Sequence, residues 1–483
     1  MIWQWAFPRL PLLTWAVVYC ATCYVGALAL LFSVRFRALY LIFAGADFPD
    51  LTWRNLGIVI TLVTLAPLLL WFGYELAIRR TQRLSVDTRN AFGSEPLVPA
   101  WVARVMFGAS VAFGVGSLVR AGGLERSLVA WFDYNAYVYA RWHLFDRLTF
   151  FEFVNLYTLL PLFGGYLFLT EGGWLGRVAS LAVVATLQYP LAQKKALLTS
   201  AIMIGSAWYI WTRLGTMPRR PGSARTHVNR LFVAPACLYV VYLGLTMAPV
   251  MRRDSARFQT IASLVPQEQV KEAQERSRRR RQLRASSANG PWLEQIAIAP
   301  DLDADYPTIV NNRAVVLYAL MSSFNRTSIS AIVYPVVFPA EHAFFPVDLG
   351  LDIFRFGKMP DDNLIVYRFL WPMHHRGAIG APFHVVLYSQ GGVLISLVGS
   401  LLVGALLAGC WWRIVCAARP DVVTSLFGGL IITFSAFLAI DSVRNSVVVS
   451  YGVIWGVLAL ASVLGLAHLI ESVRTRAVAR VSP

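Results

Sequence analysis

Apolar residues in this chain do not alternate with polar ones. They run on in long stretches, at residues 12–34, 56–76, 101–119, 153–169, 178–191, 197–211, 231–250, 385–411, 424–440 and 448–470. A helix rises ~1.5 Å per residue, so about 20 apolar residues cross the ~30 Å hydrocarbon core of a bilayer. The pattern predicts an all-α polytopic membrane protein with about ten transmembrane helices. The fifth and sixth runs are short, and only "AQKKA" separates them. The first run continues too far beyond Pro11 for a cleavable signal peptide and reads as a span.

Composition supports this class. Of 483 residues, 57% are hydrophobic and 14% charged, against roughly 25% charged in a soluble domain. The net charge of +17 is carried almost wholly by arginine. In such a chain it speaks of loop topology and not of nucleic acid. Arg79, Arg80, Arg83 and Arg89 follow the second run; Arg213, Arg219, Arg220, Arg225 and Arg230 follow the sixth. Arg413 and Arg419 follow the eighth, and Arg474, Arg476 and Arg480 the tenth. All lie after even-numbered runs, so these loops and both termini are expected in the cytoplasm. The chain then divides into helices 1–7 (residues 1–250), a large extracytoplasmic loop (251–384) and helices 8–10 (385–483). Lys194 and Lys195 fall in a tight turn on the outer side.

One stretch resists this scheme. "ERSRRRRQLR", from Glu275 to Arg284, is basic yet lies in the expected outer loop. It reads as a solvated arm or as a contact to anionic headgroups or glycan. If the arm is cytoplasmic, an extra span near residues 314–337 restores the order.

The loop is too apolar to be free. "AVVLYALMSSFNRTSISAIVYPVVFPAEHAFFPVD" is broken only by Asn325 and Arg326 at mid-length. Charge at membrane depth is costly and faces protein or a wet cavity. This segment is expected to lie at, or re-enter, the outer face. The alternative is an amphipathic helix on the membrane with Arg326 snorkelling. The next stretch gathers Arg355, Lys358, Asp361, Asp362, Arg368, His374, His375, Arg376 and His384 before the eighth run. Neither H-x-x-x-H nor H-E-x-x-H occurs there, so no metal site is read. A His–His–Arg cluster suits anion binding and proton transfer; the alternative is surface histidines on a loop. In the second outer loop, Trp131, Phe132, Tyr134, Tyr137, Tyr139 and Trp142 alternate with polar residues. They suit sugar stacking, or else an interfacial aromatic belt. "CATC", at Cys20–Cys23, lies inside the first run and reads as small helix residues, not as a redox pair.

Taken together, the chain resembles the Wzy-type family of O-antigen and exopolysaccharide repeat-unit polymerases, relatives of the O-antigen ligases. The likeness rests on the late outer loop, on the basic turn "QKKALL", and on "APFHVVLYSQGGVLISLVGSLLVG", with Gly391, Gly392, Gly399 and Gly404. It covers most of residues 194–404 in arrangement. The family turn "GS-R/K-S/G" is replaced by "QKKA", and an R-x10-G pattern fails at Arg141, Arg147, Arg326, Arg355, Arg368 and Arg376.

The resemblance implies a GT-C-like, multi-pass protein of the bacterial inner membrane with its active site on the periplasmic side. It implies metal-independent glycosyl transfer that joins polyprenyl-diphosphate-linked oligosaccharides, with no cofactor. The lipid bilayer is a partner, a chain-length regulator and a flippase are candidate partners, and nucleic acid is not. Under this reading Lys194, Lys195, Arg326, Arg368 and Arg376 are the candidates to hold the diphosphate. His374 and His375, then His342 and Glu341, are candidates for the base. Trp131, Tyr134 and Trp142 are candidates for sugar stacking. Three alternatives stay open: an O-antigen-type ligase, a polyprenyl-phosphate-sugar transferase using Asp47 and Asp50, and a lipid-linked oligosaccharide flippase.

Overall fold

The computed structural model describes residues 5–33, 37, 49–84, 100–123, 144, 147–171, 173–191, 194–214, 327–345, 362–370, 379–416, 422–443, 446, 453–462 and 465. Among these residues every regular element is helical. Four long helices come first: α1 (Phe7–Phe32), α2 (Trp53–Thr81), α3 (Trp101–Ala121) and α4 (Phe150–Thr170). Next are α5 (Trp174–Gln188) and α6 (Lys194–Leu214). Three short helices follow: α7 (Ser328–Val337), α8 (Asp362–Leu370) and α9 (Phe383–Ser389). The rest are α10 (Gly392–Cys416), α11 (Val422–Leu438) and α12 (Val453–Ser462).

Five of these, α1, α2, α3, α4 and α10, are long and apolar enough to cross a membrane. They correspond to the first four runs and the eighth. The fifth, sixth, ninth and tenth runs appear as α5, α6, α11 and α12. The seventh run and the basic arm lie outside the described residues. α4 buries most of its length, whereas α1, α2, α3 and α10 each bury about a third. Thus α4 is a core helix and the other four are peripheral. On α10 the exposed large apolar side chains are Leu394, Val398, Leu402 and Leu406. They recur every four residues, on one face of the helix. The buried face carries Ser396, Ser400 and Gly404. Apolar residues outside and small or polar residues inside is the pattern that lipid selects.

Small residues set the closest approaches. A Cβ on Gly73 would collide with the Leu401 carbonyl oxygen, and one on Gly404 with the Leu70 carbonyl oxygen. α2 and α10 therefore cross backbone to backbone. Gly429 of α11 meets the Met203 carbonyl of α6 in the same way. Polar bonds fix the register. Tyr74 Oη donates to Pro8 O at 2.7 Å, and Tyr19 Oη donates to Val63 O at 2.8 Å. Together they hold α1 antiparallel to α2. A bidentate Arg9–Glu75 pair, mostly buried, adds to that seam. α3 and α4 are joined by ion pairs near both ends, Arg104–Glu171 and Arg120–Glu152.

The eighth run was expected as one span over residues 385–411. It is two helices. α9 ends at Ser389, and α10 starts after a turn in which Gly392 takes φ +75°. A side chain would strain that left-handed backbone, whereas glycine adopts it freely. α9 packs against the first turns of α10: Ser396 Oγ donates to His384 O at 2.7 Å, and Leu387 fills the space left by Gly399.

Gly404→Leu is expected to destabilise the purified protein by about 1–3 kcal/mol or more, because the obstacle is backbone and cannot yield. Gly108→Ala, with open space around its Cα, is expected to melt at or above the parent temperature. Thermal melts of both variants in detergent check the pair.

Candidate functional site

The site begins with an irregularity in α1. Cys20–Tyr24 form a π-turn, which widens the helix and turns carbonyls out of its ladder. The Thr22 carbonyl receives Thr327 N at 3.2 Å and Thr327 Oγ1 at 2.9 Å. The Cys23 carbonyl receives Ser328 Oγ at 2.9 Å. The start of α7 is thereby tied to the interior of α1. α7 has ten residues, about 15 Å of helix, too few to cross a bilayer. Apart from Val336 its residues are buried. A helix resting on the membrane surface, the alternative for this segment, does not describe residues 328–337. Cys23 is buried against Thr327 O and Cys20 is exposed, so the pair serves as helix residues.

A polar cluster forms where α7, α8 and α9 meet. Tyr334 Oη lies 3.0 Å from Asp362 Oδ2 and 2.9 Å from Asn363 Oδ1. Ser389 Oγ lies 3.1 Å from Asp362 Oδ2 and 2.7 Å from Val386 O. The half-buried carboxylate thus lies within hydrogen-bond reach of hydroxyl groups on two short helices. Ser330 Oγ, which also lies 2.7 Å from Thr327 O, reaches Gly380 O at 2.8 Å. That bond fastens the segment entering α9 to α7. Gly380 also passes so close to α11 that a Cβ there would sit 2.7 Å from Ile440 O.

His384, on α9, is fully buried. Its ring lies edge-on to Tyr19 at 5.3 Å, to Phe383 at 5.3 Å and to Trp15 at 6.4 Å. Among the described residues neither ring nitrogen has a hydrogen-bond partner, and neither does the buried Trp15 Nε1. Three unpartnered polar atoms on two neighbouring rings are unusual inside a protein. Each carries an uncompensated desolvation cost of about 1–3 kcal/mol. Such groups are kept where chemistry needs them.

Of the expected site residues, several can be located. His342 is half-buried on the turn after α7, packed between Phe338 and Phe345. Its Nδ1 lies 2.7 Å from the Ala343 carbonyl, which can only accept, so Nδ1 is the donor of that pair. Glu341 stands beside it, exposed. This turn covers the α9–α10 junction: Phe345 N donates to Ser389 O at 2.8 Å and Tyr388 Oη to Phe338 O at 2.9 Å. Arg368 lies on α8, its buried Nε without a partner among the described residues. Lys194 and Lys195 open α6. The fold thus joins the elements carrying Glu341, His342 and Arg368 through α7. His374, His375, Arg326, Arg376, Trp131, Tyr134 and Trp142 lie outside the described residues.

Asp362 and His384 were counted only as members of a charged stretch. Their partners, Tyr334 and Tyr19, are remote in sequence, and nothing local marks the pairs. The one sequence signal for His384 is its apolar setting, "APFHVVLY". No family model, curated protein or solved structure matches this chain.

His384→Leu should melt higher than the parent by about 1–3 kcal/mol, since it removes an uncompensated polar group and keeps most of the volume. Tyr334→Phe should melt lower by roughly 1–2 kcal/mol, since Asp362 loses a donor. Differential scanning fluorimetry in detergent reads both signs.

Proposed function

We propose that this protein is a glycosyltransferase that polymerises polyprenyl-diphosphate-linked oligosaccharide repeat units into a surface polysaccharide. One observation carries the reading. Two helices too short to cross a membrane are buried among long apolar ones, and they bring Tyr334 and Ser389 to Asp362. Non-spanning backbone and ionisable groups are tolerated at membrane depth where they line a site. A substrate anchored by a long lipid meets its enzyme at that depth.

The reading brings its topology with it. It has ten spans in a GT-C-like arrangement, both termini in the cytoplasm, and 251–384 as a periplasmic loop whose ends re-enter through α7 and α9. The location is the bacterial inner membrane.

The chemistry is a displacement at an anomeric carbon. A hydroxyl oxygen of the incoming repeat unit forms a bond to that carbon. The bond from the carbon to the diphosphate oxygen breaks, and the polyprenyl diphosphate leaves with the electron pair. The hydroxyl proton passes to a base of near-neutral pKa. Cations stabilise the charge that grows on the leaving group. Lys194, Lys195, Arg326, Arg368 and Arg376 are assigned to the diphosphate. His374 and His375 are assigned to the proton, with His342 and Glu341 next. Trp131, Tyr134 and Trp142 offer faces to the sugars. The flippase alternative predicts charges at the centres of spans. The described ion pairs instead lie near helix ends.

Lys195→Ala or Arg376→Ala, expressed at the parent level, should abolish polymer and leave single-unit lipid-linked oligosaccharide. Gel profiles of extracted glycan read the result. Parent chain lengths in both variants would remove the assignment.

A further inference from the structure

Two residues outside the expected site flank in sequence the first turn of α6, which carries Lys194 and Lys195. Gln188 ends α5 and Ser200 lies in the second turn of α6. Both are buried, Gln188 at 1% exposure. Ser200 Oγ lies 2.9 Å from Gln188 Oε1 and 3.0 Å from the Ala196 carbonyl, the residue after Lys195. Gln188 Nε2 donates to Leu156 O at 2.9 Å. Leu156 belongs to the π-turn Asn155–Leu159 of α4, the kind of turn that frees a carbonyl for an outside donor. That π-turn is itself held to α3: Ser110 Oγ donates to Asn155 Oδ1 at 2.6 Å, and Asn155 Nδ2 donates to Ser110 O at 3.0 Å. A polar thread thus runs from α3 through α4 and α5 to the first turns of α6.

We propose that Gln188 is a positioning residue that pins the first turn of α6, which carries Lys194 and Lys195, to the core helix α4, so that the two lysines meet an anionic lipid headgroup, the diphosphate, at a fixed place. The inference rests on the polymerase reading for the identity of that anion; the pinning itself does not. A buried amide bridging two helices is a costly way to gain packing, because an apolar residue fills the space without needing partners. What the amide adds is one geometry for the turn. A turn that wanders presents its cations correctly for only a fraction of the time, and apparent affinity falls by that fraction.

The test combines spin-label mobility with kinetics. Labels are placed singly at Lys195→Cys and at Gly205→Cys, which has open space around it, in a chain whose five cysteines are replaced by alanine. Gln188→Leu should speed label motion at 195 and leave motion at 205 unchanged. In the otherwise native chain the same substitution should raise KM for the lipid-linked repeat unit about tenfold with kcat little changed, the signature of lost binding without lost chemistry. Ser200→Ala keeps the Gln188–Leu156 bond and should shift both readouts in the same direction by less; it decides the matter if Gln188→Leu does not fold. Unchanged motion at 195, or equal loosening at 195 and 205, overturns the pinning. A parent protein that makes no polymer removes the polymerase reading, and the label pair still decides the pinning.

Discussion

The carbonyl groups of Thr22 and Cys23, turned out of the α1 ladder, hold the rest of the site in place. A helix that ends inside an apolar bundle leaves its first N–H groups without partners, and water is absent there to supply them. α7 begins in such a place. It is anchored there because Thr327 gives its N–H and hydroxyl to the Thr22 carbonyl, and Ser328 its hydroxyl to the Cys23 carbonyl, at a π-turn of a neighbouring span. Once α7 is fixed, Tyr334 meets Asp362, Ser330 meets Gly380, and the segment entering α9 is set. The π-turn in α4 does the same for Gln188. In both cases a local loss of helix regularity in one span satisfies polar groups of another element.

Close packing depends on a complementary device. Glycines at the α2–α10 and α6–α11 crossings let backbones touch, which brings dispersion contacts where no hydrophobic effect drives helices together. The exposed faces of α10, α2 and α3 are then left to large apolar side chains, such as Leu402, Phe72 and Val119. The polar material is drawn inward, onto α4 and the short helices.

Much of the architecture was legible in the sequence. Long apolar runs give the same helices by any reading, since length and hydropathy are local properties. The excess apolarity after Asn312 rightly marked that segment as no free loop, and residues 328–337 are buried. The eighth run was misread because hydropathy is blind to backbone sign. "SQGG" looks like tolerated glycine inside a span, yet Gly392 reverses the chain. The site was less legible still. Asp362 and Tyr334 are 28 residues apart, and His384 and Tyr19 lie at opposite ends of the chain. No periodicity links them. Gln188 lies inside the fifth apolar run, and its bond is to a carbonyl in a π-turn that no residue pattern announces.

The most direct test of the account uses the purified protein in liposomes, with one defined polyprenyl-diphosphate-linked repeat unit and no other protein. The account predicts a ladder of lipid-linked oligomers of increasing length, with free polyprenyl diphosphate released in step. Repeat units that stay single at every time point, whether or not they cross the bilayer, would contradict it.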